Sequence, residues 1–418
     1  MQKLIIKGKK KLLGSINISG SKNATLPILA ATLLTDKTII LKNIPLVQDV
    51  YTMINLLKFI GLNIKISKKL KTLKISSNKK LKTIAPYSLL KTMRAGVLVL
   101  GPLLARYKKV KVSLPGGCAI GTRPVNLHLF ALEKLGAQIK IKNGYIYAST
   151  KNGLKGSTIN FPSISVGATE NAILAAVSAK GETTISNCAI EPEIHDMIFF
   201  LKKLGCNINF AGKRKILING TKNFKNTSHE VIFDRIELGT YLIAAALVGK
   251  KIIFLKIKPK VIQTEIKLLK KMGVKMKIDK NKITVFESGK INNISIKTEP
   301  YPGFPTDLQA QMMVLMLRAS GISKITENIF ENRFMHVPEL RRMGAKIIIK
   351  NNIALITGPT NLSGAEVMAT DLRASVSLVL AALTADNKTT INRVYHLDRG
   401  YENLEKKLKR CQASINRI

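Results

Sequence analysis

A cysteine in a glycine-rich loop, a carboxylate at a helix start and a set of loop arginines could do chemistry in this 418-residue chain. Cys118 lies in Leu114-Pro115-Gly116-Gly117-Cys118-Ala119-Ile120-Gly121-Thr122-Arg123-Pro124. Cys188, Cys206 and Cys411 fall instead in apolar strand or helix-end contexts and read as inert core thiols. Arg123 and His128 follow Cys118 closely, and either could depress its pKa. An unreactive loop cysteine is the alternative. Asp307 ends the rigid turn Tyr301-Pro302-Gly303-Phe304-Pro305-Thr306 at a helix start. The turn delivers a carboxylate to that helix start, with a plain N-cap by Thr306 or Asp307 as the competitor. Lys22, in Ser21-Lys22-Asn23, could reach a phosphate or simply face solvent.

Arg94, Arg123, Arg235, Arg333, Arg373 and Arg399 sit in polar loops or at element starts, most beside Gly, Asp or Asn. For any one of them, an ion pair with a neighbouring carboxylate is the plain alternative. Taken together they predict a polyanion site assembled between two domains, because guanidinium suits bidentate binding of phosphate and carboxylate.

The elements that must position these groups come from a sixfold repeat. An amphipathic stretch runs into Leu-Gly, Met-Gly or a close variant at Gly61, Gly136, Gly205, Gly273 and Gly344, and a degenerate copy has Gln412. The intervals are 68–75 residues, too long for a solenoid. Upstream, apolar residues recur at three- and four-residue steps, as in Ile194, Met197, Ile198, Leu201 and Leu204. A glycine just past such a helix is the usual stop, since it enters the left-handed region without strain. Downstream the period drops to two, as in Ile139-Lys140-Ile141 and then Tyr145-Ile146-Tyr147. A more apolar helix, such as Ala172 to Ala179, precedes each amphipathic one. Each repeat therefore reads strand–helix–strand–helix–strand–strand. The sixth lacks a last strand, and residues 1 to about 21, with Leu4-Ile5-Ile6, are expected to supply it. The α/β chain then divides into residues 22–232, with three repeats and the Cys118 loop, and residues 1–21 with 233–418, joined by two crossings.

The net charge of +43 raises the question of nucleic acid. Only 14 of the 68 basic residues are Arg, Trp is absent and aromatics are 5%, so no platform for stacking bases is expected. Phosphorylated small anions fit such a field better. Apolar runs such as Ala95 to Ala105 are too short for a membrane span. No signal-peptide apolar region opens the chain, which predicts a cytoplasmic protein with no membrane partner. The four cysteines have no metal-ligand spacing.

Several longer motifs identify a resemblance. They are Gly20-Ser21-Lys22-Asn23-Ala24, Lys91-Thr92-Met93-Arg94-Ala95, Leu114-Pro115-Gly116-Gly117-Cys118, Ser165-Val166-Gly167-Ala168-Thr169 and Phe304-Pro305-Thr306-Asp307. Further on come Phe330-Glu331-Asn332-Arg333-Phe334-Met335-His336-Val337-Pro338-Glu339-Leu340, Ala369-Thr370-Asp371-Leu372-Arg373-Ala374 and His396-Leu397-Asp398-Arg399-Gly400-Tyr401-Glu402. Over essentially its whole length the chain resembles the enolpyruvyl transferases that act on UDP-N-acetylglucosamine. The resemblance implies two inside-out α/β barrel domains of three βαβαββ repeats each, joined by a double-stranded linker. It implies transfer of the enolpyruvyl group of phosphoenolpyruvate to the 3′-hydroxyl of UDP-N-acetylglucosamine, with release of phosphate, at the first committed step of peptidoglycan precursor synthesis. No metal or organic cofactor is implied. The rival with the same fold and chemistry, the shikimate-pathway enolpyruvyl transferase, is disfavoured by the Pro-Gly-Gly-Cys loop and by Gly20-Ser21-Lys22-Asn23.

Residue by residue, the resemblance makes Cys118 the acid for the enol methylene, the site of a covalent phosphoenolpyruvate adduct and the target of fosfomycin. Asp307 takes the 3′-hydroxyl proton. Lys22, Asn23, Arg123 and Arg399 surround phosphoenolpyruvate. Arg94, Arg123, Pro124, Val125, Asn126, Leu127, Ser163, Ile164, Ser165, Val166, Asp307 and Ile329 form the nucleotide-sugar site. Arg333, Asp371 and Arg373 support the anion site. Gln48 and Ser163 stand where Lys is common, Leu98 where Trp occurs and Asn126 where Asp is usual, which implies a changed affinity for the nucleotide sugar.

Overall fold

The computed structural model describes residues 2–77, 80–116 and 125–418. The described chain forms two compact units, residues 20–116 with 125–232, and residues 2–19 with 233–418. Each unit contains three small sheets of one topology. In the first unit the strand orders are Thr227–Glu230, Ile39–Lys42, Thr72–Ser76, Asn63–Ser67; then Ile84–Ala85, Lys109–Ser113, Tyr145–Ser149, Gln138–Lys142; then Thr158–Asn160, Glu182–Ser186, Lys215–Asn219, Asn207–Phe210. The opening pair of each is parallel and the other pairings are antiparallel. The second unit repeats this arrangement, for example Leu12–Ile16, Gly249–Leu255, Lys282–Phe286, Met276–Asp279.

Residues 1–21 do not act as one closing segment. Leu4–Lys7 pairs antiparallel with Lys388–Asn392 and Ser414–Arg417 and supplies the missing strand of the sixth repeat. Leu12–Ile16 instead pairs parallel with Gly249–Leu255 and opens the fourth repeat. The first repeat is opened in the same way by Thr227–Glu230, from far along the chain. Both crossings therefore fall between an opening strand and the first helix of a repeat. Parallel pairing needs a remote strand, so local pattern could not assign these two.

The passages around residues 19–21 and 232–234 bond to each other. Ser21 N donates to Ile232 O at 2.7 Å, and Asp234 N to Ser19 O at 2.8 Å. Buried carboxylates hold their ends. Glu237 Oε2 accepts from Ser19 N and Glu402 Oε2 from Ser19 Oγ, both at 2.6 Å, and Lys407 Nζ donates to Glu237 Oε1 at 2.6 Å. In the other unit Asp196 accepts from Ile232 N at 3.2 Å and from His229 Nε2 at 3.1 Å.

Two kinds of helix alternate. The first helix of a repeat is mostly apolar and lies in the core: every residue of Arg235–Val248 and of Gln309–Met316 is buried. The second is amphipathic, as in Pro192–Leu204, where Ile194, Met197, Ile198, Leu201 and Leu204 are buried and Lys202 and Lys203 are not. Behind each amphipathic helix the backbone turns left-handed, with φ of 125° at Gly61, 90° at Gly136, 106° at Gly205, 93° at Gly273 and 94° at Gly344. Gln412 adopts the same geometry at φ 71°, at a cost of about 1 kcal/mol relative to glycine. The shared conformation explains why the repeat is legible as a glycine pattern. Cys188, Cys206 and Cys411 are buried, and burial raises their thiols, to about 11 for Cys188 and about 12 for Cys206. They are thus unreactive at neutral pH.

Candidate active site

In the unit of residues 2–19 and 233–418 the site forms around Asp307. The turn before it ends in a single 3-10 turn, Thr306–Leu308, leading into Gln309–Met316. Asp307 is not a cap: Pro305 holds the cap position, and no side chain caps there. Its carboxylate is gripped on both sides. Arg333 Nη2 donates to Oδ1 at 2.8 Å and Arg373 Nη2 to Oδ2 at 3.0 Å. Both guanidiniums are buried, while the Asp307 side chain is 26% exposed. Arg333 also donates to the Thr306 carbonyl at 3.3 Å.

Arg373 is aimed by its place in the helix Leu372–Thr384. Asp371 caps that helix, accepting from Arg373 N at 2.8 Å and Ala374 N at 3.1 Å. The other arm of Arg373 donates to Tyr401 Oη at 3.2 Å, which lies 2.9 Å from Thr240 Oγ1. Gln311 Nε2 donates to Thr240 Oγ1, Tyr401 Oη and the Asp307 carbonyl, at 3.1, 3.3 and 2.9 Å. Burial works against the Arg373 charge, but Asp307, Tyr401 and Asp234 outweigh it and raise its pKa. Arg333 and Arg373, expected as supports of an anion site, thus hold the carboxylate itself. Ile329 follows Glu327, whose Oε1 accepts from its backbone N–H at 2.8 Å. Arg399 ends the short helix Tyr395–Asp398, and the Asp398 carboxylate binds Arg417, at 2.9 and 2.7 Å. Arg235 takes the plain alternative: it lies 3.9 Å from Glu265 and over the ring of Tyr301.

The other unit holds a second group. Lys22 opens the helix Lys22–Ala31, capped by Ser21, with Asn23 next in the helix. Lys22 Nζ donates to Asp49 Oδ2 at 3.1 Å. Arg94 opens the 3-10 segment Arg94–Val99, Val125 is the N-cap residue of Asn126–Lys134, and Ser165 caps Val166–Ala176. Asn126, Ser163 and Val166 are exposed, Val125 is buried, and Leu127, Ile164 and Ser165 are half-buried. One buried pair joins these segments. Asn171 Nδ2 donates to Val97 O at 3.2 Å and to His128 Nδ1 at 3.1 Å, and its Oδ1 accepts from Gly101 N at 2.8 Å. The His128 ring lies so close to Gly167 that a Cβ there would meet it at 3.1 Å. Asn171 is invisible to sequence reasoning because it sits within an apolar helix with no local partner. Cys118, Arg123 and Pro124 lie outside the described residues.

His128 is not the cation the sequence offers to Cys118. Burial, with Arg94 second, pushes it down to about 4 and keeps it neutral. Burial, opposed by Asp371 and aided by Arg333, also brings His336 to about 4. An unfolded histidine takes its proton near 6.5. The stabilisation from a neutral ring is therefore full above pH 6.5 and is lost as pH falls toward 4. For His128 the loss is about 2 kcal/mol by pH 5. Glu170 and Glu237, raised mainly by burial, act with the opposite sign, so the informative quantity is a difference. His128→Asn retains an acceptor for Asn171, and its melting temperature should fall less than that of the parent between pH 7.5 and 5. Parallel pH curves for the two proteins would contradict this.

Among the described residues no group of three or more His, Cys, Asp or Glu side chains is arranged to hold a metal ion. Within the same residues, no helix is long and apolar enough to cross a membrane. A family described as EPSP synthase (3-phosphoshikimate 1-carboxyvinyltransferase) matches residues 6–408. The chain belongs to the enolpyruvyl transferase family. Among curated enolpyruvyl transferases it is 60% identical over 418 residues to the UDP-N-acetylglucosamine 1-carboxyvinyltransferase of Pelagibacter ubique (strain HTCC1062), with 100% of each chain covered. It is 52% identical to that of Rickettsia prowazekii (strain Madrid E) and 51% to that of Endomicrobium trichonymphae, again over 100% of each. The solved enolpyruvyl transferase NikO from Streptomyces tendae superposes with a TM-score of 0.91 at 23% identity, covering 100% of this chain and 98% of that one. An EPSP synthase from Acinetobacter baumannii gives 0.77 at 18% identity, with 100% of each covered. These two likenesses establish the α/β enolpyruvyl transferase fold.

Proposed function

We propose that this enolpyruvyl transferase moves the enolpyruvyl group of phosphoenolpyruvate to the 3′-hydroxyl of UDP-N-acetylglucosamine and releases phosphate. The observation that carries the reading is full-length identity of 51–60% to curated enzymes named for that acceptor. The family description taken alone would suggest shikimate 3-phosphate instead.

In this reading Asp307 is the base. Two guanidiniums hold its carboxylate in one orientation before substrate arrives. It takes the 3′-hydroxyl proton as that oxygen bonds to carbon-2 of phosphoenolpyruvate, while Cys118 delivers a proton to carbon-3. The tetrahedral adduct then loses phosphate from carbon-2 and a proton from carbon-3, restoring the enol ether. Lys22, Arg123 and Arg399 offset the phosphate and carboxylate charge of phosphoenolpyruvate, with Asn23 beside them as a neutral hydrogen-bonding group. Arg94, residues 123–127 and 163–166, and Ile329 bind the nucleotide sugar, and Cys118 is the thiol that forms the covalent adduct. The pathway is peptidoglycan precursor synthesis, and the cytoplasm is the proposed location.

Phosphate release from phosphoenolpyruvate tests this with two acceptors. Release with UDP-N-acetylglucosamine and none above background with shikimate 3-phosphate is expected. The reverse pattern, or none with either, would sink the assignment.

A further inference from the structure

Glu327 enters neither the sequence motifs nor the chemistry above, yet its carboxylate connects several segments of the Asp307 site. It follows the strand Ala319–Thr326 and is 3% exposed. Its carboxylate accepts four hydrogen bonds from neutral donors. Oε1 accepts from Thr298 Oγ1 at 2.8 Å, Ile329 N at 2.8 Å and Phe330 N at 3.2 Å. Oε2 accepts from Thr306 Oγ1 at 2.9 Å. A buried carboxylate is costly unless its lone pairs are satisfied, and here the satisfying donors come from separate segments.

The first segment is the turn that carries the base. Thr306 is the residue before Asp307, and Thr298 anchors the start of the turn through Thr298 N to Thr326 O at 2.9 Å. The second runs from Ile329 to Arg333, whose guanidinium lies over the Phe330 ring and grips Asp307 Oδ1. One carboxylate therefore ties the backbone bearing Asp307 to the backbone bearing its orienting arginine. We propose that Glu327 is a positioning residue for Asp307, setting the base through Thr306 and its arginine clamp through the Ile329 and Phe330 amides. This rests on the enolpyruvyl transfer reading. Displacements of about 1 Å at a reacting group can cost about a hundredfold in rate, so such a brace has a kinetic signature.

Three variants test it. Thr306→Val keeps the shape of the turn and deletes only the bond to Oε2. Its kcat should fall about tenfold, with KM for UDP-N-acetylglucosamine within about twofold. Glu327→Ala removes all four bonds; kcat should fall about a hundredfold, KM should rise, and amide exchange at Ile329 and Phe330 should accelerate. Glu327→Gln can leave its carbonyl facing the three donors of Oε1 and turn its NH2 to Thr306 Oγ1, so it should restore kcat to within about fivefold of the parent. If Glu327→Ala does not fold, Thr306→Val and Glu327→Gln still decide. Parental kcat in Thr306→Val, or Glu327→Gln as damaged as Glu327→Ala, would overturn the proposal with the parent enzyme active. A parent that releases no phosphate with this acceptor would overturn the enolpyruvyl transfer reading and the proposal together.

Discussion

Asp307→Asn should lower kcat by about a hundred- to ten-thousandfold, the span of a lost general base. The substitution is nearly isosteric, so the 3-10 turn and the Gln311 bond to the Asp307 carbonyl are retained. What changes is basicity and charge. An amide cannot take the acceptor proton, and its NH2 must face one of two guanidiniums that now meet an acceptor. Two buried arginines would then share a site without the carboxylate between them, so a lower melting temperature is expected alongside the lost turnover. The two effects separate if kcat is measured well below the transition, with nucleotide-sugar binding followed by calorimetry. Retained binding with lost turnover supports the base; unimpaired turnover would remove Asp307 from the chemistry.

The second large effect is on stability. Arg373→Met should destabilise the unit by about 3 kcal/mol, the low end for breaking a buried ion pair. The low end applies because Asp307 is partly exposed and retains Arg333. For a unit of this size that corresponds to a melting temperature lower by about 10 °C. The loss reaches beyond one ion pair, because Arg373 also donates to the buried Tyr401 hydroxyl that Gln311 and Thr240 share. Arg373→Lys keeps the charge but cannot span Asp307 and Tyr401 together, and should recover only part of the loss. A melting temperature for Arg373→Met within a degree or two of the parent would show that the clamp contributes no net stability. A double-mutant cycle with Tyr401→Phe would then locate the coupling.

The residue order of this chain determines what depends on neighbours a few positions apart. Six helix stops are legible because each needs a left-handed residue, and glycine is the residue that takes it freely. Apolar and amphipathic helices, and the strand pairs after them, can be read from their periods, since a buried face repeats at 3.6 or 2 residues. The positions of Cys118, Asp307, Lys22 and the arginines stand out through turn and motif context. Tertiary structure decides what depends on groups that meet from far along the chain. Leu12–Ile16 and Thr227–Glu230 open repeats whose other strands lie elsewhere in sequence, because parallel pairing carries no local signature. Asp307 is separated by 26 residues from one arginine and 66 from the other, so its clamp is written in no window of sequence. Asn171 and Glu327 look like ordinary helix and loop residues until folding closes hydrogen-bond partners around them. His128 reads as a cation in the sequence and becomes a neutral pin in the fold, because burial sets its charge and burial is a property of the packed chain.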